Sequence, residues 1–196
     1  METLYSVSKV VHVLGFVMMS VPLFNLIVVN ERALMGAAFN YATDRYMENI
    51  IRHGAARCYV FQLTVLVSGL LLLALGPLGV EALWTNWVIA AKTLLMVLLM
   101  GLLSIVHLRI QPAIESLLGR LGPASPIPEG FAASLKPHRI RRKKLATFCL
   151  FLVLTSIILG LQVYARFPPG LTVGLIVLVA LFAVRANRTL IRFGWV

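Results

Sequence analysis

Long runs of apolar residues, separated by more polar stretches, divide this chain into alternating segments. Five runs approach the length of about 20 residues that a helix needs to cross about 30 Å of hydrocarbon. They cover residues 10–29, 59–78, 84–106, 145–164 and 170–184. The last run is short for a span, and a tilted or partly interfacial helix is the alternative for it. The pattern predicts an all-α, polytopic transmembrane helix bundle of five spans, with a four-helix core and a short fifth helix.

Lysine and arginine residues are distributed unevenly between these runs. The stretches 30–58 and 107–144 and the C-terminal tail contain most of them, whereas the outer side receives only Lys9 and Arg166. Because cytoplasmic loops retain positive charge during insertion, both stretches are predicted to be cytoplasmic loops. The N-terminus is then outside and the C-terminus inside. A single integral membrane domain accounts for all 196 residues.

Composition argues against a water-soluble protein. Hydrophobic residues make up 60% of the chain and charged residues 13%, and the mean hydropathy is +0.91. In a soluble protein the net charge of +11 would suggest a nucleic-acid partner, but here the basic residues lie between apolar runs and have a topological explanation. We therefore predict no nucleic-acid partner. Cys58 and Cys149 fall near the cytoplasmic starts of apolar runs, where we expect no disulfide.

The two cytoplasmic stretches differ in character. In the first, Phe39, Tyr46 and Ile50 recur near helical spacing, and Glu48 and Arg52 are spaced as an i, i+4 ion pair. This predicts a helix at the membrane surface that leads into the second span. The second stretch ends in a basic cluster that either anchors the topology or binds an anionic lipid or an acidic partner. Its members are Lys136, Arg139, Arg141, Arg142, Lys143 and Lys144.

Polar side chains within the apolar runs are costly and are therefore candidates for function. Lys92 lies about 12 Å into the third run, counted from its outer end at 1.5 Å per residue. His12 lies near the outer end of the first run, so both side chains are predicted in the outer half of the membrane. Lys92 shares one helical stripe with Met96, Met100 and His107, and we expect this stripe to face the bundle interior.

Histidine makes haem b a candidate cofactor, because imidazole is the usual protein ligand of haem iron and basic side chains meet the propionates. His12 is one candidate ligand, with Lys92 as a charge partner or second ligand. The alternative lies on the cytoplasmic side, between His53 and His107. Three basic residues would be near the propionates there: Arg52, Arg57 and Arg109. A plain hydrogen-bonding role at the interface is the other interpretation of each histidine.

Methionines support a competing hypothesis, because thioethers select copper(I). Met18, Met19, Met96 and Met100 lie in two spans, although methionine is also a common packing residue. No acidic residue falls inside a predicted span. A carboxylate proton relay or a familiar hydrolytic site is therefore not expected.

Three stretches of the first three spans resemble a known family. The first run with His12, the Met-Glu-Asn-Ile-Ile stretch at 47–51 and the residues 87–92 that open the third run are similar to the bacterial membrane-bound protoporphyrinogen oxidases. The layout also resembles the membrane domain of copper-resistance protein D. The oxidase resemblance implies that His12 binds haem and that Lys92 has a catalytic role. Before the fourth span, residues 141–146 differ from the Asn-Glu-x-Pro motif of the oxidases.

The sequence thus leaves three functions open. The first is a haem-binding redox protein of a bacterial inner membrane, with an oxidoreductase activity. The second is a non-catalytic subunit or assembly factor of a larger membrane complex, which the small size and the few polar groups in the spans favour. The third is a transporter of copper or of a small solute.

Overall fold

The computed structural model describes residues 2–35, 39–122 and 126–190, and these residues form helices without any strand. The helices are α1 (Glu2–Asn30), α2 (Tyr41–Leu75), α3 (Ala82–Thr85), α4 (Trp87–Ile105), α5 (Gln111–Leu118), α6 (Phe131–Ala165) and α7 (Pro169–Arg188). Five of the helical segments are long and apolar enough to cross a membrane, and the third of them is α4 continued through α5. The predicted all-α bundle with five spans is confirmed.

Two helices are much longer than a membrane is thick. α2 and α6 have 35 residues each, which corresponds to about 52 Å, whereas the hydrocarbon layer measures about 30 Å. Both helices start on the predicted cytoplasmic side, so their first turns project beyond the membrane there. The helix predicted to lead into the second span is confirmed. It continues the axis of that span, however, and the prediction that it lies along the membrane surface is wrong.

α6 is the central helix of the bundle. It packs against α1, α4 and α7, and α1 packs along α2. Of its most apolar window 56% is buried, against 22% or less for the other spans. Met19, Leu99, Leu150 and Val153 are among the residues of the core that these helices share. The four-helix core is therefore α1, α2, α4 and α6, with α7 at its side.

A second apolar cluster lies at the predicted cytoplasmic end. It consists of Val106, Ile110, Ile114, Leu118 and Leu135. The segment Val106–Ile110 is a π-helical turn that joins α4 to α5. The wide turn immediately precedes Pro112, whose ring would clash with the carbonyl four residues earlier in a regular α-helix. Much of the predicted loop 107–144 is therefore helical and packed.

The outward faces of the spans are apolar. Val13, Val97 and Leu178, on three different helices, are each about 60% exposed. A water-soluble protein rarely exposes so many large apolar side chains in contiguous faces. These faces fit contact with the lipid bilayer, as the hydropathy pattern predicts.

Candidate functional site

His12 projects from α1 toward α2, where it meets a serine. Its Nδ1 atom lies 3.0 Å from the Oγ atom of Ser68. The Ser68 hydroxyl lies 2.6 Å from the carbonyl oxygen of Thr64, to which it donates. Because a hydroxyl has a single proton, Ser68 can only accept from His12. This arrangement favours the neutral tautomer with its proton on Nδ1, in which Nε2 carries the lone pair.

Close packing fixes the His12 ring in place. A Cβ atom at position 69 would lie 3.2 Å from its Cε1 atom, so glycine is what leaves room for the ring against α2. Phe16 contacts the ring edge-to-face, with centroids 5.4 Å apart. The imidazole thus combines a defined orientation with a defined tautomer.

Lys92 lies in the same outer half of the bundle as His12. The Lys92 side chain lies close enough for electrostatic coupling to the imidazole, and a Cβ atom at position 160 of α6 would lie 3.3 Å from its Nζ atom. Within the described part of the chain Lys92 forms no ion pair. No described residue therefore neutralises a positive charge at this position, which favours an anionic group beside it.

The helical stripe that contains Lys92 lies at the edge of the bundle interior. Met96 is buried, whereas Lys92, Met100 and His107 are half-buried. The most buried positions of this segment lie one step around the helix, at Leu99 and Val106. The prediction that the stripe faces the interior is confirmed for Met96. It is only partly correct for Lys92, Met100 and His107, which are half-buried.

The two cytoplasmic histidines face different neighbours. His53 is exposed, and its Nδ1 atom lies 2.8 Å from the backbone oxygen of Asn49. His107 packs edge-to-face on Tyr59, with centroids 5.9 Å apart. Its Nδ1 atom is buried without a hydrogen-bond partner. His53 and Tyr59 lie on different faces of α2, so the structure does not assemble His53 and His107 into one site.

The three arginines predicted near propionates on that side are all at the surface. Arg52, Arg57 and Arg109 are exposed, and none forms an ion pair with another described residue. They remain free to meet an anion from the cytoplasm or from the lipid headgroups.

The largest polar arrangement among the described residues is a buried ionic cluster at the predicted cytoplasmic end, formed by Asp44, Glu48, Arg139 and Arg142. Glu48 and Arg142 are completely buried, with 2.7 Å between the Oε2 and Nη1 atoms. Arg139 lies between the two acids, 2.7 Å from Oδ1 of Asp44 and 3.0 Å from Oε1 of Glu48. The cluster joins the start of α2 to the start of α6.

This cluster contradicts the predicted pair between Glu48 and Arg52. Glu48 faces α6, whereas Arg52 points away from the bundle and is exposed. Two guanidinium groups from α6 reach Glu48 because the projecting turns of both helices lie side by side. The spacing of four residues between Glu48 and Arg52 therefore does not reflect an ion pair.

The cluster also changes the interpretation of the basic segment from Lys136 to Lys144. Arg139, Arg142 and Lys143 are buried, and Lys143 lies 3.7 Å from Glu31. They are not free to bind a lipid, which corrects the prediction for half of the segment. The exposed members are Lys136, Arg141 and Lys144. Helical spacing could have predicted which members are buried. Arg139, Arg142 and Lys143 share one face of a helix, and Arg141 and Lys144 lie on another.

A small cavity of about 50 Å³ lies between the four core helices. Cys58, Cys149 and Gln62 contribute to its wall, and both thiols are free. The Oε1 atom of Gln62 is buried without a hydrogen-bond partner. A cavity of this size accommodates only one or two water molecules.

The four methionines considered as copper ligands differ in burial. Met18 is exposed to the outside of the bundle, whereas its neighbour Met19 is buried in the core with Met96. Across the described ranges, no group of three or more His, Cys, Asp or Glu residues is placed to hold a metal ion.

Comparisons with models of protein families, with curated protein sequences and with solved structures found no match for this chain. The resemblance to the oxidases and to copper-resistance protein D therefore stays a prediction from the short stretches that carry it.

Proposed function

We propose that this protein binds haem b in the outer half of a bacterial inner membrane, with His12 as an axial ligand, and acts there as a redox protein. The observation that supports this most directly is the hydrogen bond between His12 and Ser68. A metal-bound histidine usually donates a hydrogen bond from the N–H of its second ring nitrogen to a nearby acceptor. This bond orients the ring and raises the basicity of the nitrogen that binds the metal. Ser68 provides that acceptor and leaves Nε2 for the iron.

Lys92 supports the same proposal through its charge. A haem carries two propionates, and an ammonium group without a counter-ion inside a bundle gains from an anion beside it. His12 and Lys92 together therefore suit an anionic metalloporphyrin better than a bare cation, which Lys92 would repel. Bound haem supplies one-electron chemistry, while the chain contributes the ligand, the counter-charge and the apolar surroundings.

The test is a reduced-minus-oxidised visible spectrum of protein purified from haem-replete cells. We expect a haem b band in the wild type, its loss in His12→Ala and its retention in the control His138→Ala. Lys92→Gln should retain less haem than the wild type, because the propionates lose their partner. A wild type without the band, or a His12→Ala variant with full haem, would refute the proposal. Selective loss in His53→Ala would instead support the cytoplasmic site.

A second candidate function is that of a non-catalytic membrane subunit, which the position of α7 favours. This helix packs against α6 and leaves Val173, Leu178 and Leu181 more than half exposed. Such a face suits a neighbouring subunit as well as lipid. Purification from native membranes in a mild detergent distinguishes the two cases. A partner at fixed stoichiometry, lost on Leu178→Gln, would favour the subunit, whereas a monomer would argue against it.

A further inference from the structure

A cleft of about 390 Å³ runs along the groove between α1 and α2, on the outside of the bundle. Pro22 of α1 and Gly54 of α2 meet at its floor, where a Cβ atom at position 54 would lie 3.7 Å from the Cβ atom of Pro22. The missing side chain of Gly54 lets the two helices approach at this point. Larger side chains on both sides then form the walls of the recess.

The walls change from polar to apolar along the groove. Counted from the outer end of α2 at 1.5 Å per residue, Phe61 lies about 21 Å deep, Arg57 about 27 Å and His53 about 33 Å. With about 30 Å of hydrocarbon, Arg57 and His53 fall at the level of the cytoplasmic headgroups and Phe61 falls among the acyl chains. Met18 and Val21 of α1 face Phe61 across the apolar part. The cleft thus has a polar part at headgroup level and an apolar part at acyl-chain level, which together match an amphiphile such as a lipid.

The polar part of the cleft carries a positive charge that no described side chain neutralises. Arg57 is exposed and forms no ion pair with any described residue. Asn25 and Asn49 add amide groups from the two walls. Arg139 and Arg142, by contrast, are held by Asp44 and Glu48. The free guanidinium at headgroup level therefore favours a phosphate, which accepts two hydrogen bonds from one arginine.

We propose that this cleft binds one anionic phospholipid of the cytoplasmic leaflet. The guanidinium of Arg57 donates to the lipid phosphate, and one acyl chain lies against Met18, Val21 and Phe61. The site differs from the basic segment at the start of α6, half of which is buried in ion pairs. It does not depend on haem binding, since His12 lies in the opposite half of the membrane.

The experiment is native mass spectrometry of the delipidated full chain, titrated with phosphatidylglycerol or with phosphatidylcholine of the same acyl chains. We expect one phosphatidylglycerol per protein at the tightest step and weaker binding of phosphatidylcholine. Arg57→Gln should weaken that step about ten-fold or more, because a charge-assisted hydrogen bond is lost. Arg52→Gln is the matched control, an exposed arginine on the same helix outside the cleft, and should change it by less than about two-fold.

A second pair of measurements separates a lipid site from a site for free phosphate. Phe61→Ser should weaken phosphatidylglycerol binding, because the acyl chain loses its apolar wall, and millimolar inorganic phosphate should not displace the lipid. Equal losses in Arg57→Gln and Arg52→Gln would reduce the effect to diffuse surface charge and overturn the proposal. Equal affinity for phosphatidylglycerol and phosphatidylcholine would also overturn the proposal, and so would full displacement of the lipid by inorganic phosphate.

Discussion

Arg142 is a fully buried guanidinium whose partners all lie on other segments of the chain. It donates to Glu48 of α2, to the Oδ1 atom of Asn30 at 2.8 Å and to the Oε1 atom of Gln111 at 2.6 Å. A buried ion pair adds little net stability over a well-packed apolar pair, but removal of one partner strands the other charge. The identity of this one residue therefore determines how α1, α2, α5 and α6 meet.

Arg142→Gln should lower the free energy of unfolding by about 3–5 kcal/mol, because Glu48 would stay buried with only Arg139 beside it. The neighbouring exposed residue is the matched control, and Arg141→Gln should change the free energy by about 0.5 kcal/mol or less. Unfolding by SDS in mixed micelles, followed by circular dichroism, measures both. Similar losses in the two variants would show that the buried network is not what holds this end together.

Ser68 acts at the same scale as a positioning residue for His12. In the proposed haem site, Ser68→Ala removes the acceptor of the Nδ1 proton, and haem affinity should fall about 10- to 100-fold with a shift of the midpoint potential. Ser68→Thr retains a hydroxyl and should keep most of the affinity. Ser104→Ala is the control, since Ser104 is hydrogen-bonded to Tyr59 instead of a histidine. A potential that does not move in Ser68→Ala would contradict this role.

At the scale of elements, α4 owes its start to a single side chain. Asn86 adopts an extended backbone conformation, and its Oδ1 atom accepts hydrogen bonds from the amides of Val88 at 3.0 Å and Ile89 at 3.4 Å. The first backbone amides of a helix have no hydrogen-bond acceptor within the helix. A capping side chain supplies one and so removes the free-energy cost of leaving them unpaired. Asn86 thereby positions the first turn of the helix that contains Lys92.

Asn86→Ala should destabilise the protein by about 1 kcal/mol, because two amides at the start of α4 lose their acceptor. Asn86→Asp keeps an acceptor at the positive end of the helix and should cost much less. The same micelle titration quantifies both variants. If aspartate proved as costly as alanine, the side chain would contribute through something other than capping.

At the scale of the whole molecule, the two ends of the bundle differ in length and charge, and this difference predicts the orientation in the membrane. The projecting helix ends and most of the basic residues lie at one end of the bundle, and the short connection around α3 lies at the other. The positive-inside rule assigns the first end to the cytoplasm. Because the number of spans is odd, the N-terminus and the C-terminus are then predicted on opposite sides of the membrane.

Cysteine labelling in cells tests this arrangement, in a background with Cys58→Ala and Cys149→Ala. A maleimide that does not cross membranes should label Val80→Cys in intact cells. Arg120→Cys and Arg188→Cys should react only after permeabilisation, because each lies on the cytoplasmic side. Labelling of Arg188→Cys from outside would mean that α7 does not cross, and a fully reversed pattern would invert the topology.

Hydropathy was sufficient to predict the helix class and the number of spans, because the bilayer imposes one local requirement on each segment. Even α7 could be recognised, although at 20 residues it is longer than its apolar run of 170–184. That His12 and Lys92 lie at a similar level of the bundle also followed from counting residues along helices. Hydropathy did not predict the full lengths of α2 and α6, since their first turns are polar. Helical spacing predicted the first turns of α2, but not that they continue the axis of the span.

The partners of the polar residues were decided by tertiary structure alone. Glu48 was expected to pair four residues away but meets Arg142, 94 positions along the chain. Ser68 and Gly69 have no distinguishing feature in the sequence, yet they fix the tautomer and the space of His12. Burial in a bilayer is a property of each segment by itself, so it can be predicted from a local pattern. A buried hydrogen bond requires two groups within about 3 Å, and only the packing of the helices brings such groups together.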